Sequence, residues 1–420
     1  MLSQEEKTIR SEIHGLNSLK HIRAICKFGD RFVGMEGDKQ SIQYIESEFD
    51  KLGIEIEHTP IRIPTYEDNG SSLILTDTTT ELECISPYFT QPTSKEGVKG
   101  ELVFIGKGAK EDYEGVDVKG KIVVLHETGL GYSLFWLGTF SEFAAQSGAV
   151  GMVVIHPFPW PYRMSMEAGN SNLDNRFPKT QVPAVCISSL DGLTLMHQLG
   201  EGKANAHLSV RSRIYDVDSV VLSGVIKGTD IPEERVAVLG HRDHGYPPGA
   251  NDNLSGIGNV LELARVFSKR KPRRSLEFIC STGEEGTTPG ISKFIQANKD
   301  RLSKLKAVID MDMFGGGGQL HLVEKGLWPD TEPIIHTIWL LEMLEEIADD
   351  MGYYASRMTA EWGDAEVARF IEAGVPAAWF WKPDDMYYHS KHDTPDKVDA
   401  NSLKAVADIT GVAMWRISSL

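Results

Sequence analysis

The strongest constraint on this chain lies past Val220, where short apolar runs of strand length alternate with stretches of helical periodicity. The runs occupy residues 236–239, 276–280, 307–309 and 376–380. After the first, Ile257, Val260, Leu261, Ala264 and Phe267 recur on one helical face. Further helices are expected over 334–348, over 367–373 with Gly374 as the stop, and over 403–417. Strands alternating with amphipathic helices define an α/β fold, here expected as a mixed, mostly parallel central sheet flanked by helices.

The rest of the chain has a different texture. Near the start, Ile42, Ile45, Phe49 and Leu52 mark a helix that Gly53 ends, and a strand-like stretch covers 54–63. From Pro87 to Arg213 the pattern becomes short β-rich runs, at 101–105, 121–125 and 151–155, separated by Gly and Pro. The expected organisation is therefore a discontinuous catalytic domain, 1–86 with 214–420, interrupted by a small β-rich domain over 87–213. A chain of 420 residues is long enough for two such domains.

Composition removes several function classes. The net charge of −17 repels phosphate backbones and no basic run offsets it, so nucleic acid is not expected as a partner. No apolar run approaches the roughly 20 residues that a membrane span needs, so no membrane partner is expected either. The acidic opening residues Met1 to Glu6 lack the order of a secretory signal, giving a cytoplasmic expectation. Cys26, Cys84, Cys186 and Cys280 are widely spaced, which argues against both a disulfide framework and a thiolate metal site.

The chemistry collects behind the four apolar runs. His241, Asp243 and Asp252 follow the first, Glu284 and Glu285 the second, Asp310 and Asp312 the third, and Tyr388 and His389 the fourth. Ligand sites in open α/β sheets form at the carboxyl ends of the strands. Several carboxylates on one such edge repel each other unless cations neutralise them. Two imidazoles and three carboxylates without thiolate suit zinc, with cobalt or manganese able to substitute. Taken singly, each residue has an ordinary alternative: a histidine after a strand is usually a polar loop residue, and a Glu-Glu pair usually sits on a surface. The flanking small residues, Ser281-Thr282-Gly283 and Gly286-Thr287-Thr288, instead form a tight loop directly off a buried run. Gly249 to Gly256 is equally tight and leads into a helix, where Ser255 or Asn253 would serve as an ordinary N-cap.

With these residues in order, the chain resembles the metallopeptidase family M28, which contains the bacterial dizinc aminopeptidases, glutamate carboxypeptidase, glutaminyl cyclase and the transferrin receptor. The resemblance is carried by His241-Arg242-Asp243, Gly249 to Gly256, Gly283-Glu284-Glu285, Asp312-Met313 and Tyr388-His389. It implies His241 and Asp312 as ligands of one zinc, Glu285 and His389 as ligands of a second, and Asp252 as the bridge between them. It further implies Glu284 as general base toward a metal-bridging hydroxide, Asp243 as the partner that orients His241, Tyr388 as an oxyanion donor and a cis peptide between Asp252 and Asn253. The implied substrate is a peptide with an exposed α-amino group, and a homo-oligomer is left open.

Lys119-Gly120-Lys121-Ile122-Val123, Ala144-Ala145 with Gly148-Ala149, and Val182-Pro183-Ala184 resemble a protease-associated domain, which carries no catalytic residues in relatives. The chain departs from the family at Gly363-Asp364-Ala365, where Ser-Asp-His is common, and at Asp310, where Asn is common. His244 and His392 are additional histidines, read as non-ligands. The alternative is a carboxypeptidase or small-substrate amidohydrolase of the same family; a carboxypeptidase would need arginines facing a terminal carboxylate, and the motif loops offer Arg242 and Arg357. A receptor-like binding protein would be expected to lack the metal ligands. Trp362, Trp379, Phe380 and Trp381 are read as core, or as the lining of a hydrophobic pocket.

Overall fold

The computed structural model describes residues 1–126, 137–163, 180–203, 205–286, 289–327, 332–361 and 365–420. They divide into two compact units, Met1–Ile63 with Val217–Leu420, and Pro64–Asp216.

In the first unit the four apolar runs form adjacent strands in the order Ala377–Trp381, Leu305–Met311, Ile231–His241, Arg274–Ser281. All three pairings within this block are parallel. Their carboxyl ends therefore share one edge, in a register that sets Ser281 opposite His241 and Met311 opposite Phe380. The block is extended by antiparallel partners: Leu320–Gly326 beside Ala377–Trp381, and residues 222–226 of the strand Asn205–Ile226 beside Arg274–Ser281. The sheet is thus mixed and mostly parallel, with helices including Leu254–Phe267, Ala400–Ser419 and Ile338–Met351 packed in its core.

The helix Leu254–Phe267 starts at the site edge. Asn253 caps it by accepting the Gly256 N–H at 2.9 Å, so of the two candidate caps it is Asn253 that acts, while Ser255 Oγ donates to the Asn251 carbonyl. Its first turn lies so close to the strands that a Cβ on Gly256 would sit 2.2 Å from the Met311 carbonyl oxygen, and one on Gly240 2.8 Å from Gly256 C. Glycine at both positions is what lets the helix N-terminus press onto the strand ends.

The second unit contains the parallel strands Val98–Phe104, Ile122–His126, Gly151–Ile155 and Ala184–Ile187, with the helices Leu137–Gln146 and Ser189–Gly200. Its separate core includes Leu102, Val124, Val153 and Val185.

Two sequence expectations differ from the structure. The sequence placed the inserted segment at 87–213, whereas the structural division falls at Pro64 and Asp216. The strand Glu55–Leu75 runs through this boundary without a turn, and Leu73, Leu75 and Leu82 pack into the second unit's core. Neither feature produces a break in composition. The helix expected over 334–348 is Ile338–Met351, because Ile334 and Ile335 pair with Gly326 and Lys325 as a short strand. Among the described residues no helix is long and apolar enough to cross a membrane.

Gly256→Ala should lower the thermal midpoint by several degrees, because relieving a 2.2 Å contact with backbone requires the helix to move. Gly200→Ala, where a Cβ meets nothing within 4 Å, should leave it unchanged. Calorimetry on the two variants checks the pair, and equal midpoints would contradict the close approach.

Candidate metal centre

The parallel register brings the five expected ligands to one place. Asp252 lies in the middle: its Oδ1 is 3.3 Å from His241 Nε2 and its Oδ2 is 3.2 Å from His389 Nε2. Asp312 Oδ1 is 3.7 Å from His241 Nε2, and Glu285 Oε2 is 2.9 Å from His389 Nε2. One carboxylate thus separates two donor groups. His241 with Asp312 lies on one side and His389 with Glu285 on the other.

Whether these residues suit cations can be tested on their own hydrogen bonding. His241 Nε2 and Asp312 Oδ1 are buried and have no hydrogen-bond partner among the described residues, and Glu285 Oε2 meets His389 Nε2, itself an expected ligand atom. Buried polar atoms are ordinarily paired, so a cluster of imidazole nitrogens and carboxylate oxygens that satisfy one another incompletely fits a metal ion as the missing partner. His241, Asp252 and Asp312 place ligand atoms within 4.8 Å of one another, as do His244, Asp252 and Glu285. No cysteine enters either group, so the donors are imidazole nitrogen and carboxylate oxygen, a set that zinc accepts.

The electrostatics agree. Burial pushes the carboxyls of Glu284, Asp310 and Asp312 above their ordinary range; Asp312 and Glu285 add to the rise at Glu284, and Asp312 and Glu366 to that at Asp310. Burial likewise takes Glu366 up to about 8. These carboxylates resist ionising together, and a bound cation reverses that preference.

The remaining expected residues surround this cluster. Glu284 Oε2 lies 3.8 Å from His241 Nε2, and its side chain is 22% exposed where those of Asp252 and Glu285 are 4% and 0%. Asp243 acts on three partners. His241 Nδ1 lies 3.2 Å from its carbonyl oxygen and 3.5 Å from its carboxylate, while that carboxylate accepts the N–H groups of Glu284 and Glu285. The Tyr388 ring lies against the His389 imidazole, with centroids 3.8 Å apart. The Asp252–Asn253 peptide is cis. Thr287, Thr288, Trp362, Gly363 and Asp364 lie outside the described residues.

Sequence reasoning missed the groups that hold the ligand loops. The Asp393 carboxylate accepts the N–H groups of Asn251 and Asp252 at 2.8 and 3.0 Å. Asn251 Oδ1 accepts the N–H groups of Gly315 and Gly316. Arg31 is fully buried and donates to the carbonyls of Arg242, Pro248 and Gly249. Ser281 Oγ donates to Glu366. Asp393 was visible four residues past His389, but its partners are backbone amides some 140 positions away. Trp379 and Trp381 are buried and stacked on one face of their strand, and Phe380 belongs to the core on the other.

Comparison with known proteins adds a lineage to this geometry. Residues 222–414 match the model of peptidase family M28, and residues 98–195 match the PA domain. The chain is 24% identical over 440 residues to a Xenopus laevis protein named carboxypeptidase Q, covering 97% of this chain and 88% of that one. It is also 24% identical to aminopeptidase YwaD of Bacillus subtilis, covering 92% and 81%. Among solved structures, a Shewanella amazonensis protein described as a peptidase M28 precursor aligns with a TM-score of 0.79 at 19% identity, over 99% of this chain and 96% of that one. A zinc aminopeptidase from Bacillus subtilis aligns at 0.76 and 21%, over 97% and 96%. At these identities the solved structures establish the shared fold, and the two family models account for the site segment and the inserted segment separately. Over residues 222–414 this chain is similar to peptidase family M28, and over residues 98–195 to the PA domain.

Proposed function

We propose that this chain is a two-zinc aminopeptidase that hydrolyses the first peptide bond of a peptide with an exposed α-amino group. His241 and Asp312 would hold one ion, His389 and Glu285 the other, and Asp252 both. Two such ions, when bound, polarise the scissile carbonyl and lower the pKa of water so that it can attack at neutral pH. The chain's own residues supply the proton handling and the alignment. Glu284, the more exposed of the two glutamates, takes the proton of the attacking water on its carboxylate and returns it to the leaving amine. Asp243 fixes the backbone of Glu284 and Glu285, so the base and a ligand are placed by the same group. Tyr388, whose ring lies beside His389, would donate its hydroxyl to the developing oxyanion.

The choice of an aminopeptidase rests on what happens to the basic side chains. Arg242 is fully buried and donates to Asp38 and to the carbonyls of Val220, Cys280 and Ser281. Arg357 is bound by Glu324 and Glu345, and Lys382 donates to the Gly316 carbonyl and Ser402. Arg242 and Arg357, the arginines that the motif loops offer to a terminal carboxylate, are thus engaged elsewhere, whereas the acidic cluster suits an α-ammonium. Relatives named carboxypeptidase Q keep the alternative specificity as the second reading.

Free aminoacyl anilides should be cleaved and their N-acetyl forms should not; equal rates on both would end the aminopeptidase reading. Glu284→Gln should lower kcat by about 10²- to 10⁴-fold with metal content unchanged, and wild-type turnover would remove Glu284 from its role. Chelation should lower the thermal midpoint by on the order of 10 °C, since a ligand at 1,000 times its Kd contributes about 4 kcal/mol per site. Zinc should restore that midpoint in the wild type but not in Asp252→Ala, and an equal recovery in the variant would contradict the shared carboxylate.

A further inference from the structure

His244 is a fully buried imidazole that the proposed reaction does not use. Its Nδ1 is hydrogen-bonded to Oε1 of Glu285, while the other oxygen of that carboxylate, Oε2, lies 2.9 Å from His389 Nε2. His244 is itself fixed from two directions. Its carbonyl accepts the Arg31 N–H at 3.1 Å, and the backbone at Gly249 presses on its far edge so closely that a Cβ there would lie 2.4 Å from His244 Cδ2. The ring meets His389 edge to face, with centroids 5.7 Å apart.

The second ring nitrogen, Nε2, is buried without a hydrogen-bond partner among the described residues. Leaving such an atom dry is a cost that a phenylalanine of similar shape would avoid. Packing alone therefore does not explain why an imidazole stands here, and the bond to Glu285 does. A ligand carboxylate has two oxygens and can bind a metal through one or both. With Oε1 held by an N–H donor, only Oε2 remains on the side of His389 and Asp252.

We propose that His244 is a positioning residue that restricts Glu285 to single-oxygen metal binding and so sets the coordination number of the ion held by Glu285 and His389. This rests on the two-metal reading above. Partners of this kind behind a metal ligand typically govern 10- to 100-fold in affinity.

The test uses the full-length protein stripped of metal and titrated with cobalt(II), followed by visible absorption and by equilibrium dialysis. His244→Phe keeps the ring and removes the donor, whereas His244→Asn places an amide N–H near the position of Nδ1. His244→Gln, which reaches instead toward the position of Nε2, serves as the comparison if the phenylalanine variant does not fold. Wild type should bind two cobalt ions. His244→Phe, or His244→Gln in its place, should bind the second about 10- to 100-fold more weakly, with a weaker visible band as Glu285 gains a second bond to the ion. His244→Asn should recover both the affinity and the band. A phenylalanine or glutamine variant that titrates and absorbs like wild type would overturn the proposal. Loss of one whole equivalent in the asparagine and phenylalanine variants alike would also overturn it, by making His244 a ligand. A wild type that binds no cobalt would refute the metal reading itself, an outcome separate from the other two.

Discussion

Mutual repulsion among buried carboxylates is the constraint around which this molecule is organised. Asp252, Glu285 and Asp312 are each at most 5% exposed and converge with two imidazoles at one sheet edge. Burial disfavours ionisation of such groups, and at Asp312 the neighbouring Asp252 and Glu285 add to the cost, whereas the imidazoles of His241, His244 and His389 hold Asp252 and Glu285 below the ordinary carboxylate range. Without compensation the edge would be a liability to folding. Two divalent cations would offset that cost, and the field that would hold them could also stabilise charge on a substrate. The parallel block makes the convergence possible, because four strands running the same way deliver four loops to one edge.

The scaffold spends its own charged groups on keeping those loops in place. Arg31 bridges the loops after His241 and before Asp252 through three carbonyls, and Arg242 ties the first of them to Asp38 and to the neighbouring strand. Asp393 holds the peptide groups at Asn251 and Asp252 from the loop that also carries His389. The segments that carry Asp252 and His389 are therefore tied to each other through Asp393. Met313 and His389 both adopt left-handed backbone conformations, with φ of 53° and 50°, which non-glycine residues accept only where surroundings enforce them.

How much of this could be read from sequence follows from which interactions have a period or a spacing. The four strands were legible because burial selects apolar runs, and the candidate ligands because each follows such a run. The helix after Asp252 was legible from Ile257 to Phe267, while its cap was narrowed to two residues and decided by the Asn253–Gly256 bond. The boundary near Pro64 was not legible, since one strand serves two cores. Neither were Asp393, Arg31 or the Glu366–Ser281 pair, because their partners are brought together only by the completed sheet. Arg242 was legible as part of a motif but not as a structural group; its burial against Asp38 is a tertiary fact.

The central claim is that the carboxylate cluster exists to hold two neighbouring cations. X-ray absorption at the zinc edge of the reconstituted protein addresses it directly. The account predicts a coordination sphere of nitrogen and oxygen only, with a metal–metal distance of about 3.5–4 Å. Sulfur in the coordination sphere, or zinc with no second metal nearby, would contradict it.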